Sequence, residues 1–308
     1  MMTKQKKFLI VLSIIIGAVI TVMGTEFVTQ SNQSYKDHQS KLVVNHSTIP
    51  VLFIHGWAGG LHSELPLAKK AIKAGVAQKG MIIYIGPSGQ IKMTGHLPSH
   101  PQKSPELLIK FPNAYLGEFK EATELHKILV LLKRNYHVNQ YNAIGHSMGA
   151  YALVAQGEQS GHSSQVPLVN KLVLIAGPFD GILNRHKWDQ PTNGKLSRLW
   201  DDYPRQNRLL SNGQPKIKHP EYQVLMKNRH HFPRQAKILN IFGRVNSNAE
   251  SDGTVSVPSV LSLGSILKNQ VTSYKVRGFS GRLAQHTYLE PKNIKVQKTI
   301  MKFLWNKY

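Results

Sequence analysis

The sequence contains no cysteine. Disulfide bonds, a thiol nucleophile and thiolate metal sites are therefore excluded, although this absence does not fix the compartment. Acidic residues are scarce: 16 Asp and Glu stand against 39 Lys and Arg, a formal net charge of +23. Such an excess favours anionic surroundings, whether nucleic acid, anionic lipid or a polyanionic wall. The bases are scattered rather than gathered in one run. Zinc-finger spacing, an aromatic RNA-binding signature and a basic helical tail are all missing, so nothing supports a nucleic-acid partner. No internal repeat is visible. The 308 residues and 41% hydrophobic content suffice for one large domain with a full core, or for two small ones.

The amino terminus combines a basic start with an apolar run. Lys4, Lys6 and Lys7 precede Phe8 to Gly24, interrupted only by Ser13 and Thr21. This pattern lies at the border between signal peptide and membrane anchor. The run is a little shorter than the roughly 20 residues of a typical spanning helix. Val22-Met23-Gly24 is an imperfect small-residue cleavage site, and no lipobox cysteine follows. Residues 1–28 are read as a signal peptide or anchor and residues 29–48 as a polar tether. The positive-inside rule then places the lysines in the cytoplasm and the domain outside.

Residues 49–308 read as strands alternating with helices. Ile49 to Ile54 is a continuous apolar run, as expected of a strand buried on both faces. Leu65 to Ala77 reads as a helix. Met81 to Ile85 and Ile91 to Thr94 flank a hairpin turn, Gly86 to Gln90, and Leu107 to Phe111 is a short strand. Phe119, Ala122, Leu125, Ile128, Leu129 and Leu132 recur at helical spacing, which predicts an amphipathic helix over 118–135. Lys171 to Ala176, Lys237 to Phe242 and Val271 to Val276 are further strands. Pro291 suits the first turn of a terminal helix. The alternation implies a mostly parallel, doubly wound sheet. Between Gly177 and Gln235 the rhythm breaks, with Trp188, Trp200, several prolines and no clear strand. Loops of that length are uncommon in compact domains. Residues 178–235 are therefore read as a cap inserted over the carboxyl ends of the strands.

The stretch from Tyr141 to Ala150 holds the chemistry. It reads as a buried strand, a sharp turn and a helix start, with Gly145-His146-Ser147-Met148-Gly149 at the turn. In a nucleophile elbow of this form, the serine sits on a strained strand-to-helix turn with its hydroxyl raised above the sheet. Five-residue fragments arise readily by chance. Gly161-His162-Ser163-Ser164 and Gly278-Phe279-Ser280-Gly281 are near misses. Only the 145–149 copy follows an apolar strand and opens a helix.

A serine hydroxyl needs a base to take its proton, and the base needs an acid to fix its tautomer. In strand-to-helix elbow enzymes the order along the chain is Ser, acid, His. Of fifteen histidines only His286 lies beyond residue 252, in the loop after the last strand. Among the intervening acids, Glu158 belongs to the helix after Ser147. Asp189, Asp201, Asp202 and Glu221 fall in the insertion. Asp252, in Ser251-Asp252-Gly253-Thr254-Val255, is preferred because its loop follows the later strand, and Asp180 is its rival. Asn246, Asn248, Glu250 and Asp252 also suggest calcium, but they lack the full spacing of a calcium loop. Two backbone donors must hold the oxyanion of a tetrahedral intermediate. Met148, the residue after the serine, and Trp57, in the turn after the first strand, are the candidates. His55 is read as orienting that turn by hydrogen bonds.

Together these features resemble the α/β-hydrolase superfamily, and more narrowly the DUF915 family of Gram-positive cell-surface hydrolases. The resemblance rests on the exported amino terminus, His55-Gly56, the hairpin at 81–94 and the elbow Gly145 to Gly149. It continues through Gly177-Pro178-Phe179, Ser251 to Val255 and His286, covering roughly residues 48–305. Ala150 stands where a third glycine is common in the family, and Ser256 where a proline often follows the valine. The resemblance implies Ser147, Asp252 and His286 as a catalytic triad and names no substrate. The leading expectation is a secreted or membrane-tethered serine hydrolase of the carboxylesterase or lipase type, needing no cofactor. Its substrate would be a small-molecule or lipid-like ester, and an anionic membrane or cell wall its surface. An acyltransferase, a non-catalytic surface binding protein and a peptidase are the alternatives.

Overall fold

In the computed structural model, residues 48–98, 101–112, 116–183 and 201–306 are described. The proposed anchor and the tether up to residue 47, together with Trp188, Asp189 and Trp200, lie outside them. The apolar runs become the strands of one sheet. β1 (Val51–Ile54), β4 (Ser104–Lys110), β5 (Gln140–His146), β6 (Leu168–Ile175), β9 (Lys237–Arg244) and β10 (Ser273–Ser280) run parallel. β2 (Ala77–Ile85) joins them in parallel, and β3 (Ile91–Gly95) folds back on β2 as an antiparallel edge. The eight strands lie in the order β10-β9-β6-β5-β1-β4-β2-β3. β1 is buried along its whole length, which is why it carries no polar alternation.

Helices cover both faces. On one face α1 (Leu61–Lys73) and α6 (Ile294–Trp305) meet the sheet in a single apolar cluster. Leu67, Val296 and Ile300 pack there with Phe53, Ile144, Val173 and Ile241. Lys70 Nζ donates to Gln297 Oε1 at 2.8 Å and ties the two helices together. The opposite face carries α2 (Glu118–Tyr136), α3 (Met148–Ser160) and α5 (Val257–Leu267). Two contacts mark that side: Tyr141 Oη to Gln156 Oε1, and Asn240 Nδ2 to the Val260 carbonyl. Among the described residues no helix is long and apolar enough to cross a membrane.

Several boundaries differ from those read in the sequence. α1 starts at Leu61 and ends at Lys73, not at 65 and 77. Gly75, at φ 77°, closes it: Gly75 N–H bonds the Ile72 carbonyl and Val76 N–H the Ala71 carbonyl. That paired reversal stops a helix and suits glycine. Ala77 then begins β2. Pro291 lies before α6 rather than in its first turn. Asn293 caps the helix instead, its side chain accepting from Lys295 N–H and Val296 N–H. The helix α5 was not foreseen. Between β6 and β9 two short strands do form, β7 (Ile182–Leu183) and β8 (Asp201–Asp202), which pair in parallel. They are followed by a bridge between Leu209 and Pro215 and by α4 (Pro220–Asn228).

The few acids are mostly inside. Burial pushes the carboxyls of Glu64, Glu106 and Glu118 up to about 8, and that of Glu158 to about 9. Folded, these groups hold their protons. Unfolded, they release them above the ordinary value of 4.5. The folded state therefore binds more protons from about pH 4.5 to 8–9, and stability falls as pH rises through that window. Melting temperature measured from pH 6 to pH 9 should decline. A rise over the same range would contradict the burial of these carboxyls.

Candidate active site

Ser147 sits between β5 and α3, at the N-cap of the helix. Its backbone holds φ 54° and ψ −124°, a left-handed region costly for a residue with a side chain. The strain is sustained by neighbours: Ser147 N–H donates to the Ile175 carbonyl at 2.8 Å, tying the elbow to the end of β6. Gly149 must also be small, because a Cβ there would lie 2.5 Å from the His55 carbonyl oxygen and 2.6 Å from that of Ile54. Gly56 has the same constraint from the other side, 2.7 Å from Ser147 Cβ. The turn after β1 is thus pressed directly against the elbow. Gly149→Ala is expected to destabilise the fold by about 1–3 kcal/mol, the usual cost of overpacking. Thermal unfolding of the variant, compared with Ala150→Gly, tests it; an unchanged melting point for Gly149→Ala would contradict the close approach.

His286 lies in the loop after β10, and Asp252 in the loop after β9. His286 Nε2 is 3.0 Å from Ser147 Oγ, and its Nδ1 is 2.8 Å from Asp252 Oδ2. The other oxygen of Asp252, Oδ1, accepts from Thr254 N–H at 2.9 Å and Val255 N–H at 2.7 Å. A further backbone bond, His286 N–H to the Asp252 carbonyl at 3.0 Å, joins the two loops. All three side chains are buried. Each comes from the carboxyl edge of the parallel strands, where open α/β sheets place their sites. An arrangement of this kind can pass a proton from hydroxyl to imidazole while a carboxylate fixes the ring.

The two candidate oxyanion donors are at the same edge. Met148 is the first residue of α3, where backbone N–H groups lack partners within the helix. Trp57 follows Gly56 in a turn closed by Gly59 N–H to the Gly56 carbonyl, with Ala58 at φ 58°. His55 is buried, lies edge-on to Phe111 at 5.4 Å, and its Nδ1 is 2.9 Å from the Gly56 carbonyl. Its ring therefore braces this turn.

The rival acid lies elsewhere. Asp180 Oδ1 accepts from His219 N–H at 2.8 Å and Oδ2 from Asn207 Nδ2 at 2.7 Å. Its own N–H donates to Ser259 Oγ at 2.9 Å. It fastens the insertion to α5, and burial pushes its carboxyl up to about 7. The calcium reading also fails to assemble. Asn246 Oδ1 is engaged by Asn248 N–H at 3.0 Å, both residues and Glu250 are exposed, and Asp252 faces His286. Among the described residues no group of three or more His, Asp or Glu is arranged to hold a metal.

His146 was overlooked in the sequence. Its Nε2 donates to the His286 carbonyl at 3.2 Å, and the two rings lie 4.7 Å apart. Burial, helped by the neighbouring His286, pushes its pKa down to about 3, so it stays neutral and donates from a fixed tautomer. The available signal was its place: the residue before an elbow serine leaves the strand beside the loops that meet there.

An eight-stranded, mostly parallel sheet with a strained serine between β5 and α3 is the α/β-hydrolase architecture. The chain belongs to a family described as "Alpha/beta hydrolase of unknown function (DUF915)", which matches residues 38–307. The fold is shared with solved structures from Listeria innocua and Lactobacillus plantarum, among others. The lin2722 gene product of Listeria innocua aligns at TM-score 0.70 and 21% identity, over 85% of this chain and 95% of that one. A protein from Lactobacillus plantarum WCFS1, a cell surface hydrolase by name, aligns at TM-score 0.64 and 21% identity, over 86% and 94%. Comparison with curated proteins returned no match.

Proposed function

We propose that the protein is an exported serine hydrolase that cleaves carboxylic esters through Ser147, His286 and Asp252. The observation that carries this reading is the unbroken chain of bonds from Ser147 Oγ through both His286 nitrogens to Asp252 Oδ2. Ser147 Oγ attacks the ester carbonyl carbon while His286 Nε2 takes its proton. The resulting oxyanion is held by the N–H groups of Met148 and Trp57. The C–O bond then breaks, and His286 returns the proton to the departing alcohol. Water, deprotonated by His286, attacks the acyl-enzyme and releases the acid. Asp252 stays ionised and holds the ring through Nδ1. In the same reading, residues 178–235 form a cap over the site, and residues 1–28 export or tether the enzyme.

Turnover of p-nitrophenyl esters of increasing acyl length by the purified protein tests the reading. A burst of one nitrophenol per enzyme followed by steady hydrolysis is expected where deacylation is slower. Absence of turnover at every chain length would contradict it.

A further inference from the structure

The described surface holds almost no acid. Of the Asp and Glu side chains described, only Glu250 is exposed. Glu124 is half-buried and paired with Lys127, and the rest are buried. The excess of lysine and arginine is therefore expressed outward.

Exposed large apolar side chains are grouped against this background. Leu283, Tyr288 and Ile294 all lie in the segment that carries His286, and Ile294 is 58% exposed. Asn293 Nδ2 donates to the Leu283 carbonyl at 3.0 Å, which draws the two ends of the segment together. Arg282, Lys292 and Lys295 are exposed among them, and Lys292 Nζ sits 4.0 Å from the centre of the Tyr288 ring. Glu290, the single acid after Asp252, is buried. The insertion repeats the pattern. Tyr203, Leu210 and Ile217 are exposed beside Arg208 and Lys216, with no acid from 203 to 219. One segment leaves the carboxyl end of β10 and the other that of β6, the edge that holds Ser147. Leu168, at the opposite end of β6, is the other exposed large apolar residue among those described.

Single exposed apolar residues need no explanation. Two groups at one edge, each set among cations, with Glu250 near Tyr203 the single exposed acid among the described residues, match a surface that enters the headgroup layer of an anionic bilayer. A soluble polyanion would be satisfied by the cations alone. We propose that the carboxyl edge of the sheet docks on an anionic phospholipid surface. Leu283, Tyr288 and Ile294 enter the headgroup region, and Arg282, Lys292 and Lys295 pair with phosphates. That docking delivers a lipid-borne ester to Ser147 rests on the hydrolase reading; docking itself does not.

Because the chain has no cysteine, one can be introduced and labelled at a chosen position. The full chain carrying Ser147→Ala and either Ile294→Cys or Leu168→Cys would bear an environment-sensitive fluorophore. It would be mixed with phosphatidylglycerol-containing or pure phosphatidylcholine vesicles whose acyl chains are brominated. A blue shift and quenching are expected at position 294 on anionic vesicles, with neither at 168. Adding Lys292→Glu and Lys295→Glu should abolish them, and Leu283→Cys should behave as Ile294→Cys does. An unquenched label at 294 and 283, equal quenching at 168, or equal quenching in neutral vesicles would overturn the proposal. So would a shift produced by anionic wall polymer with no quenching by bilayers. Quenching by anionic vesicles together with a wild-type chain that turns over no ester would leave docking standing and remove the hydrolase reading.

Discussion

Ser147→Ala is expected to lower ester turnover by roughly a million-fold, the scale seen when the nucleophile of a triad is removed. The size follows from the chemistry assigned to this one oxygen. In the proposed mechanism it forms the covalent bond, and it is the only hydroxyl bonded to His286 Nε2 among the described residues, at 3.0 Å. What remains without it is stabilisation by backbone donors and binding alone. The fold should survive, because alanine removes only a hydroxyl and relieves none of the backbone packing that holds φ at 54°. Steady-state rates on a p-nitrophenyl ester, with a circular dichroism spectrum as control, give the answer. A variant retaining even a tenth of wild-type turnover would remove Ser147 from the mechanism.

The acid carries the second large effect. Asp252→Asn should cost on the order of ten-thousand-fold in kcat, because an amide facing His286 Nδ1 favours the wrong tautomer. Its Oδ1 would still accept from Thr254 and Val255, so the loop should keep its shape. Asp180→Asn should leave kcat within a few-fold, since its carboxyl contacts are His219 N–H and Asn207 Nδ2. It should instead lower the melting temperature, because an amide nitrogen facing one of those donors loses a buried bond. Kinetics and melting of the two variants side by side separate the roles. The reverse pattern, with Asp180→Asn inactive and Asp252→Asn active, would move the acid to the earlier strand.

Much of this site was legible because chain order constrains it. Once Ser147 was placed at the end of a strand, the base had to follow the last strand, and His286 was the single histidine there. The strands were readable because burial on both faces leaves continuous apolar runs, as in Val51 to Ile54. Asp252 and Asp180 were harder to separate, since each precedes a glycine after a strand. Only the fold reveals that one faces His286 and the other the insertion. The helix α5 escaped notice because serines interrupt its apolar positions. Ser259 and Ser262 are buried, each bonded through its hydroxyl to a backbone carbonyl, so polar residues hide an inward face. Its start was in fact marked by Ser256, which caps it, and by Pro258 in its first turn. The ends of α1 and α6 were set by Gly75 and Asn293, local capping choices that periodicity does not report. His146 was missed because its contact partner is a backbone carbonyl 140 residues away.

The bond from Ser147 Oγ to His286 Nε2 should make Ser147 an activated nucleophile. Reaction with a fluorophosphonate probe, followed by peptide mass mapping, tests it most directly. The serines of the two near-miss fragments, Ser163 and Ser280, serve as internal controls within the same chain. The expected result is one adduct per chain, on the peptide containing Ser147, lost in Ser147→Ala and formed far more slowly in His286→Ala. No adduct on the folded wild-type protein, an adduct at Ser163 or Ser280 instead, or equal labelling rates with and without His286 would contradict it.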